Sequence, residues 1–194
     1  MKDRSLILLA FLWGVAEASL FFVVPDVPVS LIALARGWRV GLVAAVAAAA
    51  GALAGGTALA LCASHAPQAV LALVEAVPAI SPAMIARLQA QMAGDVPAGI
   101  AALAGTLIEA SLSGVPYKIA AASWPTLGLP IWQLALLTPL VRLPRFIALA
   151  AAGGMLHRLT PTLPGWMRPV RTRLLLAILG WAAFYTWYWT RTGW

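Results

Sequence analysis

Charge is scarce in this chain. Only 10% of its 194 residues are Asp, Glu, Lys or Arg, 62% are hydrophobic, and the mean hydropathy is +0.91. That leaves too little polar surface to coat a soluble globule of this length, so an integral membrane protein is expected. One cysteine, Cys62, excludes an intrachain disulfide framework and a cysteine metal cluster. The two histidines, His65 and His157, have no histidine or carboxylate at ligand spacing, so no metal is expected. Nucleophile-elbow, P-loop and zinc motifs are missing, so neither an enzyme nor a cofactor is expected. The net charge of +7 would suggest nucleic acid in a soluble protein. Here the basic residues sit in short segments beside apolar runs, where they face anionic lipid and set topology instead.

The apolar runs predict an all-α fold. Residues 41–62 and 130–156 are long enough to cross a bilayer, and residues 174–189 give a slightly shorter third crossing. Gly51, Gly55 and Gly56 permit close helix contact in the first of these. The second is expected to bend where Pro139 and Pro144 interrupt it. Residues 63–95, punctuated by Pro67, Pro78 and Pro82, read as an amphipathic connector on the outer surface, with Ile85, Leu88 and Met92 on one face. Residues 158–173 form a basic linker. Trp181, Tyr185, Trp187, Tyr188, Trp189 and Trp194 read as an interfacial aromatic belt.

Two stretches do not fit full crossings. Residues 5–35 are interrupted by Pro25-Asp26-Val27-Pro28 and are too short to cross twice, which takes about 20 residues each time. They either cross once with a break or dip in and return. The beginning of the chain also imitates a secretory signal, with Lys2 and Arg4, an apolar run and Ala16-Glu17-Ala18. Against that reading, Glu17-Ala18-Ser19-Leu20 recurs as Glu109-Ala110-Ser111-Leu112. In both copies a proline (Pro25, Pro116), a tryptophan (Trp38, Trp124) and a Gly-Leu pair follow in the same order. The chain therefore reads as an internal repeat, about 5–62 and 97–157, of the kind used by transporters with helices broken at membrane depth.

Topology follows from the basic residues. If both broken segments return, Lys2, Arg4, Arg36, Arg39, Arg158, Arg168, Arg171 and Arg173 share one face against Arg87 and Arg191. If both cross, the division is three against seven. The positive-inside rule prefers two re-entrant hairpins with a cytoplasmic N terminus.

Setting loops aside leaves Glu17, Asp26 and Glu109 against Lys118, Arg142 and Arg145, a set summing to zero. A charge at the bilayer centre costs about 2.5 to 3.5 kcal/mol on insertion scales, so these residues are expected to pair or to act. Arg142 and Arg145 are three apart, on one helix face, and with Lys118 could hold a phosphate. The breaks at Pro25 and Pro116 could present helix N-termini to the same anion. A carboxylate in apolar surroundings binds a proton readily, so Glu17 or Glu109 could couple proton flow to transport. The alternatives are a purely structural ion-pair network, or a non-transporting subunit or assembly factor in a larger membrane complex.

The stretch from Trp13 to Arg39, WGVAEASLFFVVPDVPVSLIALARGWR, with the following GALAGG, resembles the first half of the DedA/VTT superfamily (SNARE-associated Golgi protein family), most of all its YqaA-type branch. The stretch GVPYKIAAASWPTLGLPIWQLALLTPLVRLPRF resembles the second half. The likeness covers about residues 12–154 and rests on the joint spacing of the PDV, PYK and RxxRF elements. It implies two facing re-entrant hairpins with transmembrane helices in a bacterial inner membrane. It also implies movement of anionic lipids, phospholipids or polyprenyl phosphates, between leaflets. Apart from the resemblance, a homo-oligomer or a larger membrane complex is an expected partner. The residues that match are Glu17, Pro25, Asp26, Lys118, Arg142 and Arg145, with Pro116 opening the PYK element. The chain departs from the pattern at residues 59–62, where relatives often have a tyrosine, and at AAASW, which replaces a usual glycine.

Overall fold

The computed structural model describes residues 2–192. Among them there is no strand, and the chain forms α1 (Asp3–Ser19), α2 (Asp26–Arg36), α3 (Trp38–His65), α4 (Pro67–Glu75), α5 (Pro82–Asp95), α6 (Ile100–Ser113), α7 (Tyr117–Ser123), α8 (Ile131–Arg158) and α9 (Val170–Thr192). Proline sets many of the starts. Pro67 and Pro82 occupy first helical positions, where the missing amide donor costs nothing. Pro25, Pro116 and Pro130 immediately precede α2, α7 and α8. Ser81 caps α5, accepting from the Met84 amide at 3.2 Å. Gly114 stops α6 in the left-handed region at φ +86°.

The first proline-broken segment is a helical hairpin. From α1 the chain turns through residues 20–25 and α2 returns, so that Arg36 at its end forms an ion pair with Asp3 at the start of α1, 3.6 Å apart. Then α3 runs out again beside α1, in the same direction. The contact is backbone to backbone: a Cβ on Gly51 would lie 2.0 Å from Phe11 O, and one on Gly55 2.4 Å from Val15 O. Glycine here removes the side chains that would otherwise hold the helices apart.

The second hairpin is built the other way up. α8 runs antiparallel to α3, with Gly154 against Trp38 and Gly41 against Ala150 at one end. α6 turns through residues 114–116 into α7, which lies beside α5, where Gln89 Nε2 donates to Ser123 Oγ at 3.0 Å. Two apolar clusters result. One gathers Leu59, Ala63, Val70, Leu107, Trp124 and Leu134; the other gathers Ala10, Val29, Ala44, Phe146 and Ala150. The breaks of both hairpins lie between them.

Three expectations need restating. α8 runs as one helix through both Pro139 and Pro144. Leu137, Thr138, Val141, Arg142 and Phe146 are buried around them, and that packing holds the helix despite two missing amide donors. The connector does have Ile85, Leu88 and Met92 on one face, as expected, but that face, with Val70 and Val74, packs into the larger core cluster. The aromatic end of α9 is not a free belt. Tyr185 accepts from the Val24 amide at 2.9 Å, Tyr188 donates to Gly114 O at 3.1 Å and Trp181 Nε1 donates to Ser30 Oγ at 3.0 Å, so this face packs onto both breaks. Trp194 lies outside the described residues.

By length and apolarity α3 and α8 can cross a membrane. α9 has the length, but its Trp, Tyr and Arg residues lower its hydropathy.

Candidate functional site

Where the hairpins meet, the fold buries charge. Glu17, Asp26 and Lys118 are each 1% exposed and Arg142 is 4% exposed. Glu17 sits two residues from the end of α1, and Asp26 opens α2, so both acids flank the first break. Lys118 is the second residue of α7, just past the second break. Arg142 and Arg145 stand one turn apart on α8, between Val141 of one apolar cluster and Phe146 of the other.

The arginines divide the acids between them. Arg142 Nη2 donates to Glu17 Oε2, and Arg145 Nη2 donates to Asp26 Oδ2. Arg145 also donates to Ser111 O at 2.6 Å, tying the end of α6 to α8. The Arg142 guanidinium lies 5.4 Å from the Tyr117 ring centroid and 5.1 Å from that of Phe146, within cation–π range. The Tyr117 hydroxyl in turn is hydrogen-bonded to Thr138 Oγ1. Lys118 Nζ donates to Phe21 O at 2.7 Å, joining the two breaks directly.

Of the residues expected at the site, Glu17, Asp26, Lys118, Arg142 and Arg145 come together. Pro25 and Pro116 stand at the breaks, as helix-starting residues. Glu109 does not join them. It is exposed on α6, beside Arg87 and Gln91 of α5. The reason lies in helix length. α1 ends two residues after Glu17, at Ser19, whereas α6 ends four residues after Glu109, at Ser113. Two extra residues turn a helix by roughly 200°, so Ser111, not Glu109, takes the place of Glu17. The five residues that come together are two acids and three bases, a formal excess of one positive charge, with four of them buried and Arg145 partly exposed.

Neither helix N-terminus at the breaks offers a free cradle for an anion. α2 opens on Asp26, an acid whose carboxylate pairs with Arg145 and would repel an anion, and α7 is only seven residues long.

A cavity of about 70 Å³ lies against Glu17, Lys118, Arg142 and Arg145 and is walled by Tyr185 and Tyr188 of α9. A water needs about 10 to 15 Å³ by this measure, so the cavity admits a few waters and no headgroup. Beyond it, Arg145 also borders a much larger, mostly apolar cleft of about 1070 Å³ between α2, α8 and α9. Sequence reasoning missed Ser111, Tyr117, Thr138, Tyr185 and Tyr188. Only the spacing of Trp181, Tyr185 and Tyr188, four and three apart on one helix face, carried a signal. Compared with family models, with curated proteins and with solved structures, the chain matches none.

Proposed function

We propose that this chain is an integral membrane transporter, flippase or scramblase that moves an anionic lipid between leaflets. The observation that carries this reading is an inverted distribution of polarity. Leu112 is 75% exposed, Met155 64%, Trp132 63% and Leu140 60%, while Glu17, Asp26, Lys118 and Arg142 are almost wholly covered. In water that arrangement exposes hydrocarbon and buries charge, both unfavourably; in lipid the exposed side chains are in their own solvent.

In this reading α3, α8 and α9 span the bilayer, and the two hairpins enter from opposite faces without crossing. The Asp3–Arg36 pair supports the first of these, because it returns the end of α2 to the face where α1 starts. Positive-inside counting puts that face in the cytoplasm. The family likeness supplies the substrate class, a polyprenyl phosphate or phospholipid. The excess positive charge supplies the attraction, with Lys118, Arg142 and Arg145 engaging phosphate while Glu17 and Asp26 position the arginines. A headgroup enters only if the wall of α9 moves. Proton coupling acts through Glu17, and Glu17→Gln then makes flux insensitive to a pH gradient.

Reconstitution tests the reading. Liposomes holding the wild type should move labelled polyprenyl phosphate or phospholipid faster than empty ones, and Arg142→Ala or Lys118→Met should reduce the rate while the protein still elutes as a folded species. Equal flux from all three, or none above empty liposomes, removes the mechanism. The subunit reading has one observation in its favour: α3 leaves Ala50, Ala54 and Ala58 exposed at four-residue spacing, a surface suited to a neighbouring helix. A stoichiometric larger complex on native purification, without lipid flux, would establish it instead.

A further inference from the structure

We infer that the cleft between α2, α8 and α9 seats the hydrocarbon chain of a membrane lipid, and that the headgroup of this lipid, a phosphate joined to a hydrogen-bond donor, is the missing partner of Ser111 and Asp26. The class of ligand rests on the lipid reading above; the seat rests on separate observations.

The first observation is polar. Ser111 Oγ and Asp26 Oδ1 are buried and have no hydrogen-bond partner, although both residues border the cleft. Ser111 is 6% exposed and Asp26 1%. Buried polar atoms are nearly always paired, and two unpaired ones, on residues that both bond Arg145 and both border one cleft, point to a group that completes them. A serine hydroxyl donates to a phosphate oxygen. The free carboxylate oxygen of Asp26 accepts, and a bare phosphate would be repelled there. The group that satisfies both has phosphate acceptors and an O–H or N–H donor next to them.

The second observation is spatial. The cleft has room for a ligand chain, being at about 1070 Å³ slightly larger than the range of about 300 to 1,000 Å³ usual for small-molecule sites, and its wall is dominated by Leu112, Leu149, Leu156, Trp181 and Phe184. Gly180 faces it at mid-helix in α9, and a Cβ built there meets nothing within 4 Å. Glycine inside a helix is less stable than alanine, so a glycine against which nothing packs is otherwise a loss. Gly14, Gly51 and Gly55 differ, because each is filled by a neighbouring backbone. Gly180 leaves the cleft open.

The third observation is continuity. Arg145, Gly114, Phe184 and Tyr188 border both the cleft and the small charged cavity. A lipid lying in the cleft places its polar end beside the residues that border the cavity of Lys118 and Arg142.

The test uses the whole chain in liposomes with phosphatidylethanolamine carrying a photoreactive group on its acyl chain, and mass spectrometry of the labelled peptides. Labelling should concentrate on Leu149, Leu156 and Phe184 over Trp132, Leu140 and Val46, and unlabelled phosphatidylethanolamine should compete it away. Gly180→Trp, which fills the cleft without touching the charges, should lower labelling there about tenfold while the elution profile stays that of the wild type. A phosphatidylcholine probe, which lacks the donor, should label the cleft less than either phosphatidylethanolamine or phosphatidic acid; the stronger of those two identifies the donor as ammonium or P–OH. Equal labelling by phosphatidylcholine overturns the headgroup assignment. Labelling spread evenly over all exposed helices overturns the seat, and if flux persists the transport reading stands without it. Concentrated labelling without flux supports the seat and removes transport.

Discussion

Lys118 Nζ donates to Phe21 O across 2.7 Å, so the ammonium at the tip of one hairpin closes on a backbone carbonyl at the tip of the other. The carbonyl belongs to the irregular residues between α1 and α2, where helix geometry no longer supplies partners. This one bond satisfies an unpaired acceptor and ties the turn between α1 and α2 to the start of α7.

Replacing Lys118 should therefore act on both halves. Lys118→Met keeps the length of the side chain and removes the donor and the charge. The expected result is folded protein with little lipid flux, and faster hydrogen exchange at residues 20–25 than in the wild type. Unchanged exchange there would show that the bond does not hold the break.

Glu17 and Arg142 should behave as a unit. Removing one partner of a buried pair costs about 3 to 5 kcal/mol because the other charge is stranded, whereas removing both is often close to neutral. Glu17→Gln and Arg142→Gln should each lower the melting temperature in detergent. The double variant should melt well above the value that adding the two losses predicts.

Glu109→Gln should change neither flux nor melting by more than experimental scatter, since the side chain faces outward beside Arg87. A loss of flux equal to that of Glu17→Gln would place Glu109 in the mechanism after all.

The glycines of α3 and α6 should separate by what surrounds them. Gly55→Ala forces a methyl to within 2.4 Å of Val15 O and should cost about 1 to 3 kcal/mol as α1 and α3 are pushed apart. Gly105→Ala meets nothing within 4 Å and should stabilise α6, by about 0.5 to 1 kcal/mol. Thermal melts of the two variants side by side make the comparison.

Tyr188→Phe removes only the hydroxyl that donates to Gly114 O. If α9 is the wall that must move, this variant should exchange amide hydrogens faster along residues 181–189 and should raise flux. Slower flux with unchanged exchange would assign the tyrosine to the substrate instead.

Much of the architecture was legible because it is written in features that survive in one dimension. Pro25 and Pro116 mark the starts of α2 and α7, long apolar runs mark α3 and α8, and the rarity of charge picks out Glu17, Asp26, Lys118, Arg142 and Arg145. Glu109 misled because a tetrapeptide match aligns letters, while helix phase depends on where each helix stops. The prolines of α8 do not end the helix, because their cost is local and the packing that offsets it comes from other helices. The role of Tyr185 and Tyr188 was hidden for the same reason: an aromatic cluster near a chain end looks alike whether it meets headgroups or a neighbouring backbone.

A single residue, Gly37, separates α2 from α3, at φ +85° and with the His157 ring against it, whereas residues 124–130 separate α7 from α8. The first half of the repeat is thereby stiff: tilting its hairpin must drag the neighbouring long helix with it. The second joint is longer but it is tied down: Trp124 is buried and its Nε1 donates to Pro130 O at 3.0 Å. Each hairpin is thus coupled to its long helix, one by the shortness of its joint and the other by an anchored tryptophan.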